Sequence, residues 1–204
     1  MEAESKMRKL YLIRHGQTLF NVRKKTQGWC DSPLTSLGIQ QAKQARAYFE
    51  RQNITFDAVY SSTSERCCDT TELLVDQSYT RLKGLKEWHF GLFEGEPEDL
   101  QQSRSPWSGT IENTHGDFFV RYGGEADIDV QNRMDQTIQE IILNNHQSTL
   151  CVTHAGAMWL FFLKRNASEE LSGERFGNCS ILEYDIDKHH QLHFVRLIDV
   201  LEDV

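Results

Sequence analysis

Two apolar runs in this chain end on a histidine. "LYLIRHGQT" at 10–18 begins with four core-type side chains, Leu10 to Ile13, and gives way to Arg14, His15 and Gly16. "TLCVTHAG" at 149–156 ends in the same manner on His154, Ala155 and Gly156. In open α/β sheets ligands bind beyond the carboxyl ends of strands, so Arg14, His15 and His154 are expected at one crevice. Arg66 falls in the first turn of the helix expected after a strand at 57–61. Backbone N–H groups and the helix dipole already favour an anion there. Two histidines and two arginines form a cationic notch, and phosphate fits it, because guanidinium offers forked, permanently charged donors. Gly16 lacks a Cβ and lets backbone come close to such an anion. Asn21, a few residues on, carries a side-chain amide that can donate to the same oxygens.

A histidine so placed can also react. A neutral imidazole nitrogen is a nucleophile, and a covalent intermediate divides one hard displacement into two easier ones. Neighbouring arginines disfavour the imidazolium. The departing alkoxide needs a proton, and Glu87 in "LKEWHFG" is the acid best placed by sequence. A carboxyl beside a bound phosphate dianion is disposed to carry the proton an acid catalyst needs.

Alternating elements must position these groups. Short apolar runs at 10–14, 57–61 and 149–153 read as strands buried on both faces. Two more strands are expected at 179–185 and 192–198, around the polar turn "IDKHHQ". Helices are expected at 35–52, with Thr35 as N-cap and Ile39, Ala42, Ala45 and Phe49 on one face, and at 64–76, 125–145 and 156–165. Ser62 and Glu65 stand at capping-box spacing before the second of these. The pattern predicts an α/β fold, a three-layer α/β/α sandwich with a mostly parallel central sheet. Residues 80–124 are irregular and rich in Gly, acids and aromatics, and read as a small cap inserted into a single domain spanning 1–204.

Bulk properties narrow the classes. The chain has 204 residues, 39% of them hydrophobic and 25% charged, with a formal net charge of −8. That balance argues against a nucleic-acid or membrane-surface partner, since both want a basic face. No apolar run nears the ~20 residues a bilayer span needs. The five cysteines, Cys30, Cys67, Cys68, Cys151 and Cys179, show no C-x-x-C spacing and read as reduced thiols of a cytoplasmic protein. His189, His190 and His193 lack a strong ligand spacing, so no metal and no cofactor is expected. His89, His115 and His146 are read as structural or surface residues. Nothing in the sequence decides between a monomer and a homo-oligomer.

The same residues carry a family likeness. "LYLIRHGQT" with Asn21 resembles the Arg-His-Gly signature of the histidine phosphatase superfamily, the phosphoglycerate mutase-like family. The likeness continues through "GWCDSPLTSLGIQQA" at 28–42, "VYSSTSERCCDTTE" at 59–72, "LKEWHFGLFEG" at 85–95, "GGEADIDVQNRM" at 123–134 and "VTHAGAM" at 152–158. The tripeptide alone is weak, but six segments in this order are specific. The resemblance implies that His15 becomes phosphohistidine and that Arg14, Arg66 and His154 hold the phosphate, with Gly16, Asn21 and Ala155 beside them. It implies that Glu87 is the general acid and later the base. Gln27 and Gly28 match positions that touch substrate in the mutase branch.

Two departures favour the phosphatase branch. Mutases of the family have an arginine directly after the catalytic glutamate, where this chain has Trp88. They also clamp a carboxylate with several Arg and Lys, whereas only Arg104 and Arg121 lie between Trp88 and Glu125 here. The expected activity is metal-independent hydrolysis of small phosphate monoesters. The alternatives are a phosphoglycerate mutase, an alpha-ribazole-phosphate type of phosphatase, a non-catalytic phosphate-binding protein, and a metal-dependent hydrolase built from His15, His154 and Glu87. Trp29 and Trp88 are candidates to line the substrate mouth, ahead of Phe90, Trp107, Phe118 and Phe119.

Overall fold

The computed structural model describes residues 7–100, 115–165 and 176–200. Its centre is a six-stranded sheet of order β3-β2-β4-β1-β5-β6, with β1 Arg8–Arg14, β2 Ala58–Ser62, β3 Thr80–Leu82, β4 Ser148–Thr153, β5 Ile181–Ile186 and β6 Leu192–Ile198. β1 to β4 pair in parallel, while β5 runs antiparallel to both β1 and β6. The sheet is therefore mostly parallel, as expected.

Side-chain alternation along the strands builds three layers. Leu10 and Leu12 of β1, with Cys151 of β4, enter a core with Val130, Met134 and Ile138 and with Met158, Phe161 and Phe162. These come from α4 Asp127–Ile142 and α5 Ala155–Arg165. Tyr11 and Ile13, with Leu150 and Val152, enter a second core with Ala42, Ala45 and Phe49 and with Cys67 and Leu74. Those belong to α2 Ser36–Arg51 and α3 Glu65–Leu74. Successive strand residues point to opposite faces, and apolar residues on both sides leave the sheet covered by helices on each face.

Three local expectations change. Residues 80–82 are the edge strand β3, paired with Tyr60 to Ser62, so the irregular segment begins only after them. Short 3-10 turns follow at Lys83–Leu85, Gly91–Phe93 and Val120–Tyr122; Arg104 and Trp107 lie outside the described residues. Four-residue α1, Leu19–Val22, was not expected; Thr18 and Asn21 close a capping box on it. Ser62 is not a cap. It ends β2, and α3 has Ser64 at its N-cap position with no side-chain capping bond. The cap comes from a distant loop instead, where Asp31 accepts from the backbone N–H of Glu65 at 2.5 Å and of Arg66 at 3.4 Å.

Trp88 does not line a mouth. It is 4% exposed, and its indole N–H donates to the Glu125 carbonyl at 2.8 Å. It packs against Phe90, His115 and Phe119. Phe90, Phe118 and Phe119 belong to the same aromatic core. Trp29, in contrast, is 41% exposed.

Candidate active site

The C-terminal ends of β1, β2 and β4 meet side by side, and the chain at and just past them delivers His15, Ser62 and His154. The His15 N–H continues the ladder by donating to the Thr153 carbonyl at 3.1 Å. Its ring is buried. Nδ1 lies 2.8 Å from the Gly16 carbonyl oxygen, which can only accept, so this partner assigns the ring proton to Nδ1 and the lone pair to Nε2. The Nε–H of Arg66 donates toward that lone pair at 3.3 Å. Burial first, then the charges of Arg66 and Arg14, hold His15 well below the usual imidazole range, against a smaller opposing effect of the Gly16 carbonyl.

His154 is oriented as rigidly. Its Nδ1 accepts from Arg66 Nη2 at 3.0 Å, which leaves Nε2 to donate to Ser62 Oγ at 2.8 Å. The two imidazole rings stand edge to face with centroids 5.3 Å apart. Burial, Arg66 and His15 push His154 well below the ordinary histidine range too. Both rings are neutral near pH 7.

Arg66 is 1% exposed. Besides the two histidines it donates to the carbonyls of Gly28 at 2.8 Å and Cys30 at 2.9 Å, and to Asp31 Oδ1 at 2.9 Å. The Gly28 carbonyl can point there because Gly28 has φ +56°, and a Cβ at that position would meet Glu94 Oε1 at 2.2 Å. Glu94 fixes this loop by accepting from the N–H groups of Trp29 and Cys30 at 2.8 and 2.9 Å. Gln27 accepts from Ser32 Oγ at 3.3 Å through its side-chain oxygen. Arg14 donates through Nη1 to the Phe176 carbonyl at 2.6 Å. Its Nε is buried with no hydrogen-bond partner among the described residues. A buried charged donor of this kind is able to take an anion as its partner.

The main-chain N–H of Gly16 and the side-chain oxygen of Asn21 have partners within the protein. The Gly16 N–H donates to Thr70 Oγ1 at 3.1 Å, and a Cβ on Gly16 would lie 2.5 Å from the Gly38 carbonyl oxygen. The need for glycine here is a close approach of the loop to α2. Asn21 accepts through Oδ1 from the Thr18 N–H at 3.0 Å and from Asn178 Nδ2 at 3.4 Å, an arrangement that orients its amide.

Glu87 sits on the loop after the 3-10 turn Lys83–Leu85. Its carboxylate caps α5, accepting from the N–H groups of Ala157 at 2.8 Å and Gly156 at 3.1 Å, and from Trp88 at 2.9 Å. Ala155 is the first residue of the same helix. Trp29 reaches the loop as well, donating its indole N–H to the Glu87 carbonyl at 2.9 Å. His189, His190 and His193 do not converge. His193 Nε2 bonds Asp187 at 3.1 Å, and His190 Nδ1 lies 3.2 Å from Arg8 Nη1.

Asp31, Ser62, Thr70 and Glu94 are site residues that the sequence does not mark as such, because each acts on a partner distant in the chain. The "GWCDSPLT" segment is the one available signal for Asp31.

Comparison with known proteins gives the family. Residues 10–199 match the model of the histidine phosphatase superfamily (branch 1), and the chain belongs to that family. A broad-specificity phosphatase of Saccharomyces cerevisiae is 31% identical over 93% of this chain and 84% of its own length. A Proteus mirabilis protein named "Probable phosphoglycerate mutase GpmB" is 29% identical over 97% of this chain and 94% of its own. The crystal structure of a phosphoglycerate mutase from Bacillus anthracis superposes with a TM-score of 0.83 at 22% identity, covering 98% of this chain and 97% of that one; it shares the fold.

Proposed function

We propose that this chain is a phosphatase of small phosphate monoesters that works through phosphohistidine at His15, without a metal. The observation that carries the reading is His15 itself: a buried, neutral ring, proton held on Nδ1 by the Gly16 carbonyl, lone pair on Nε2 turned toward Arg66. An arriving phosphate offers Arg66 a charged acceptor in place of the imidazole, which frees the lone pair. Arg14, through its open Nε, and His154 complete the cradle. Nε2 then bonds to phosphorus as the ester P–O bond breaks. The leaving oxygen takes the bonding pair and a proton from Glu87. In the second half water attacks phosphorus, Glu87 takes its proton, and the N–P bond returns its pair to His15, releasing phosphate. For this Glu87 must turn one oxygen from the end of α5 to the substrate.

Hydrolysis is favoured over mutase transfer because Trp88 is locked into the core at the position where mutases of the family carry an arginine. The broad-specificity phosphatase among the relatives supports the same choice, and the five free cysteines suit a reducing cytoplasm. The mutase reading rests on the Proteus relative. Turnover of p-nitrophenyl phosphate in excess chelator, and its loss in His15→Ala, test the proposal. Full activity of that variant, or activity abolished by chelation, overturns it. Primed conversion of 3-phosphoglycerate far above the hydrolytic rate would establish the mutase.

A further inference from the structure

Arg133, on α4 and outside the phosphate cradle, spends all its donors near Glu87. Its Nη1 donates to the carbonyls of Gly84 at 2.9 Å and Lys86 at 2.8 Å, and its Nη2 to that of Glu87 at 3.2 Å. Nε and Nη2 also grip the Glu125 carboxylate at 2.9 and 2.8 Å. Glu125 closes the other side of the same loop. Its Oε2 accepts from the His89 N–H at 3.0 Å, and its carbonyl accepts the Trp88 indole N–H at 2.8 Å. The carbonyls of Gly84, Lys86 and Glu87, the indole of Trp88 and the N–H of His89 are thus clipped to one ion pair, while the Glu87 side chain reaches forward to α5. Past the 3-10 turn Lys83–Leu85 the loop has no regular ladder to hold it. A planar guanidinium with five fixed donors is the side chain suited to hold three carbonyls and a carboxylate at once.

We infer that Arg133, seated on Glu125, is a positioning residue that sets where the Glu87 carboxyl meets the leaving oxygen. This rests on the phosphatase reading and on Glu87 as its acid. The distinguishing readout is leaving-group dependence. A p-nitrophenolate departs without a proton, whereas an alkoxide needs one. In the first half-reaction, read by kcat/KM, damage to the acid therefore falls on alkyl esters, and general damage to the fold or the cradle falls on both.

Arg133→Gln, Glu87→Gln and the double variant are compared with wild type on p-nitrophenyl phosphate and on glycerol phosphate, with kcat and KM separated. The expected result is a fall in kcat/KM for glycerol phosphate at least ~10-fold larger than for p-nitrophenyl phosphate in both single variants, because kcat/KM reports the phosphorylation of His15 and not the later hydrolysis that both esters share. The double variant should be no worse than Glu87→Gln, because residues acting as one unit are not additive. Equal losses on the two esters in Arg133→Gln, or losses that multiply in the double variant, overturn the inference. If Arg133→Gln does not fold by circular dichroism, Glu125→Gln, which keeps the shape and drops the charge, is read by the same ratio. The two levels fail separately. Full turnover by His15→Ala sinks the phosphohistidine reading, and Glu87→Gln treating both esters alike sinks the role of the acid. A selective Glu87→Gln beside an unselective Arg133→Gln sinks only this inference.

Discussion

Arg66 donates to both site histidines, to Asp31 and to two main-chain carbonyls, so one side chain joins the loop at 28–31 to the ends of β1 and β4. Lysine keeps the charge and loses the fork. Arg66→Lys should therefore lose both chemistry and stability: at least ~100-fold in kcat/KM, about 2.7 kcal/mol at ~1.4 kcal/mol per decade, together with a lower urea midpoint. A variant with normal midpoint and normal kcat/KM would show that the fork is idle. His15 allows a direct check of its proton. An exposed imidazole is half-protonated near pH 6.5, but burial and two guanidinium groups depress His15. Its ring resonances in an NMR titration should stay constant from pH 8 down through 6.5; a midpoint at 6.5 would contradict a neutral nucleophile held by charge. The residues that meet here, Arg14, His15, Arg66 and His154, are legible in the sequence because each lies at or just past the end of an apolar strand, or at a helix start. Asp31 is not. Its partners lie 34 and 35 positions along the chain, and no local periodicity marks a carboxylate that caps a helix from another loop.

At the scale of elements, a pair of glycines presses the loop after β1 onto the first turn of α2. A Cβ on Gly38 would lie 2.0 Å from the Gln17 carbonyl oxygen, and one on Gly16 would lie 2.5 Å from the Gly38 carbonyl oxygen. Each obstacle is backbone, so neither a rotamer change nor a flexible tip can relieve it. Overpacking of this kind costs ~1–3 kcal/mol. Gly38→Ala, although helix propensity favours it by up to ~1 kcal/mol, should lower stability by a net ~1–2 kcal/mol and reduce kcat by shifting His15. Thermal melts and p-nitrophenyl phosphate kinetics measure both; a stabilised, fully active Gly38→Ala would mean that the loop has slack. Apolar spacing marks α2 through α5 and five of the six strands to within a few residues, because burial on a helix face or between two layers imposes it strongly. β3 escapes, since its three residues, "TRL", are half-buried at most and carry no alternation. Ser62 misleads because capping-box spacing is a local pattern, while its hydroxyl is engaged by His154, 92 positions away.

The molecule as a whole carries an acid sensitivity written by buried histidines. His15 and His154 are held well below 6.5, and burial depresses His115 to about 4. In each case the unfolded chain, with an ordinary pKa near ~6.5, binds more protons than the folded one. Their contribution to stability is thus complete above pH 6.5 and is lost as pH falls below it, down to about 4 for His115 and through the same acid side for His15 and His154. Each group removes ~1.4 kcal/mol per pH unit inside that window. Between pH 7.5 and 5.5 the three together should take away ~4 kcal/mol, a large share of the ~5–15 kcal/mol that holds a typical domain. The carboxylates act in a separate window. Glu183 is pulled down by Lys9 and Arg196 against the effect of burial, so its contribution is present above the ordinary carboxylate range of ~4.3 and is lost only as pH drops through and below it. Urea unfolding at pH 7.5, 6.5 and 5.5 in phosphate-free buffer measures the slope, because a bound anion would stabilise the folded state and mask it. His15→Ala should retain about two thirds of the decline, having one depressed imidazole fewer of the three. An unfolding free energy that is level from pH 7.5 to 5.5 would mean that the native state takes up these protons as readily as the unfolded chain, and would contradict the depression of these histidines by burial and by the arginines of the notch.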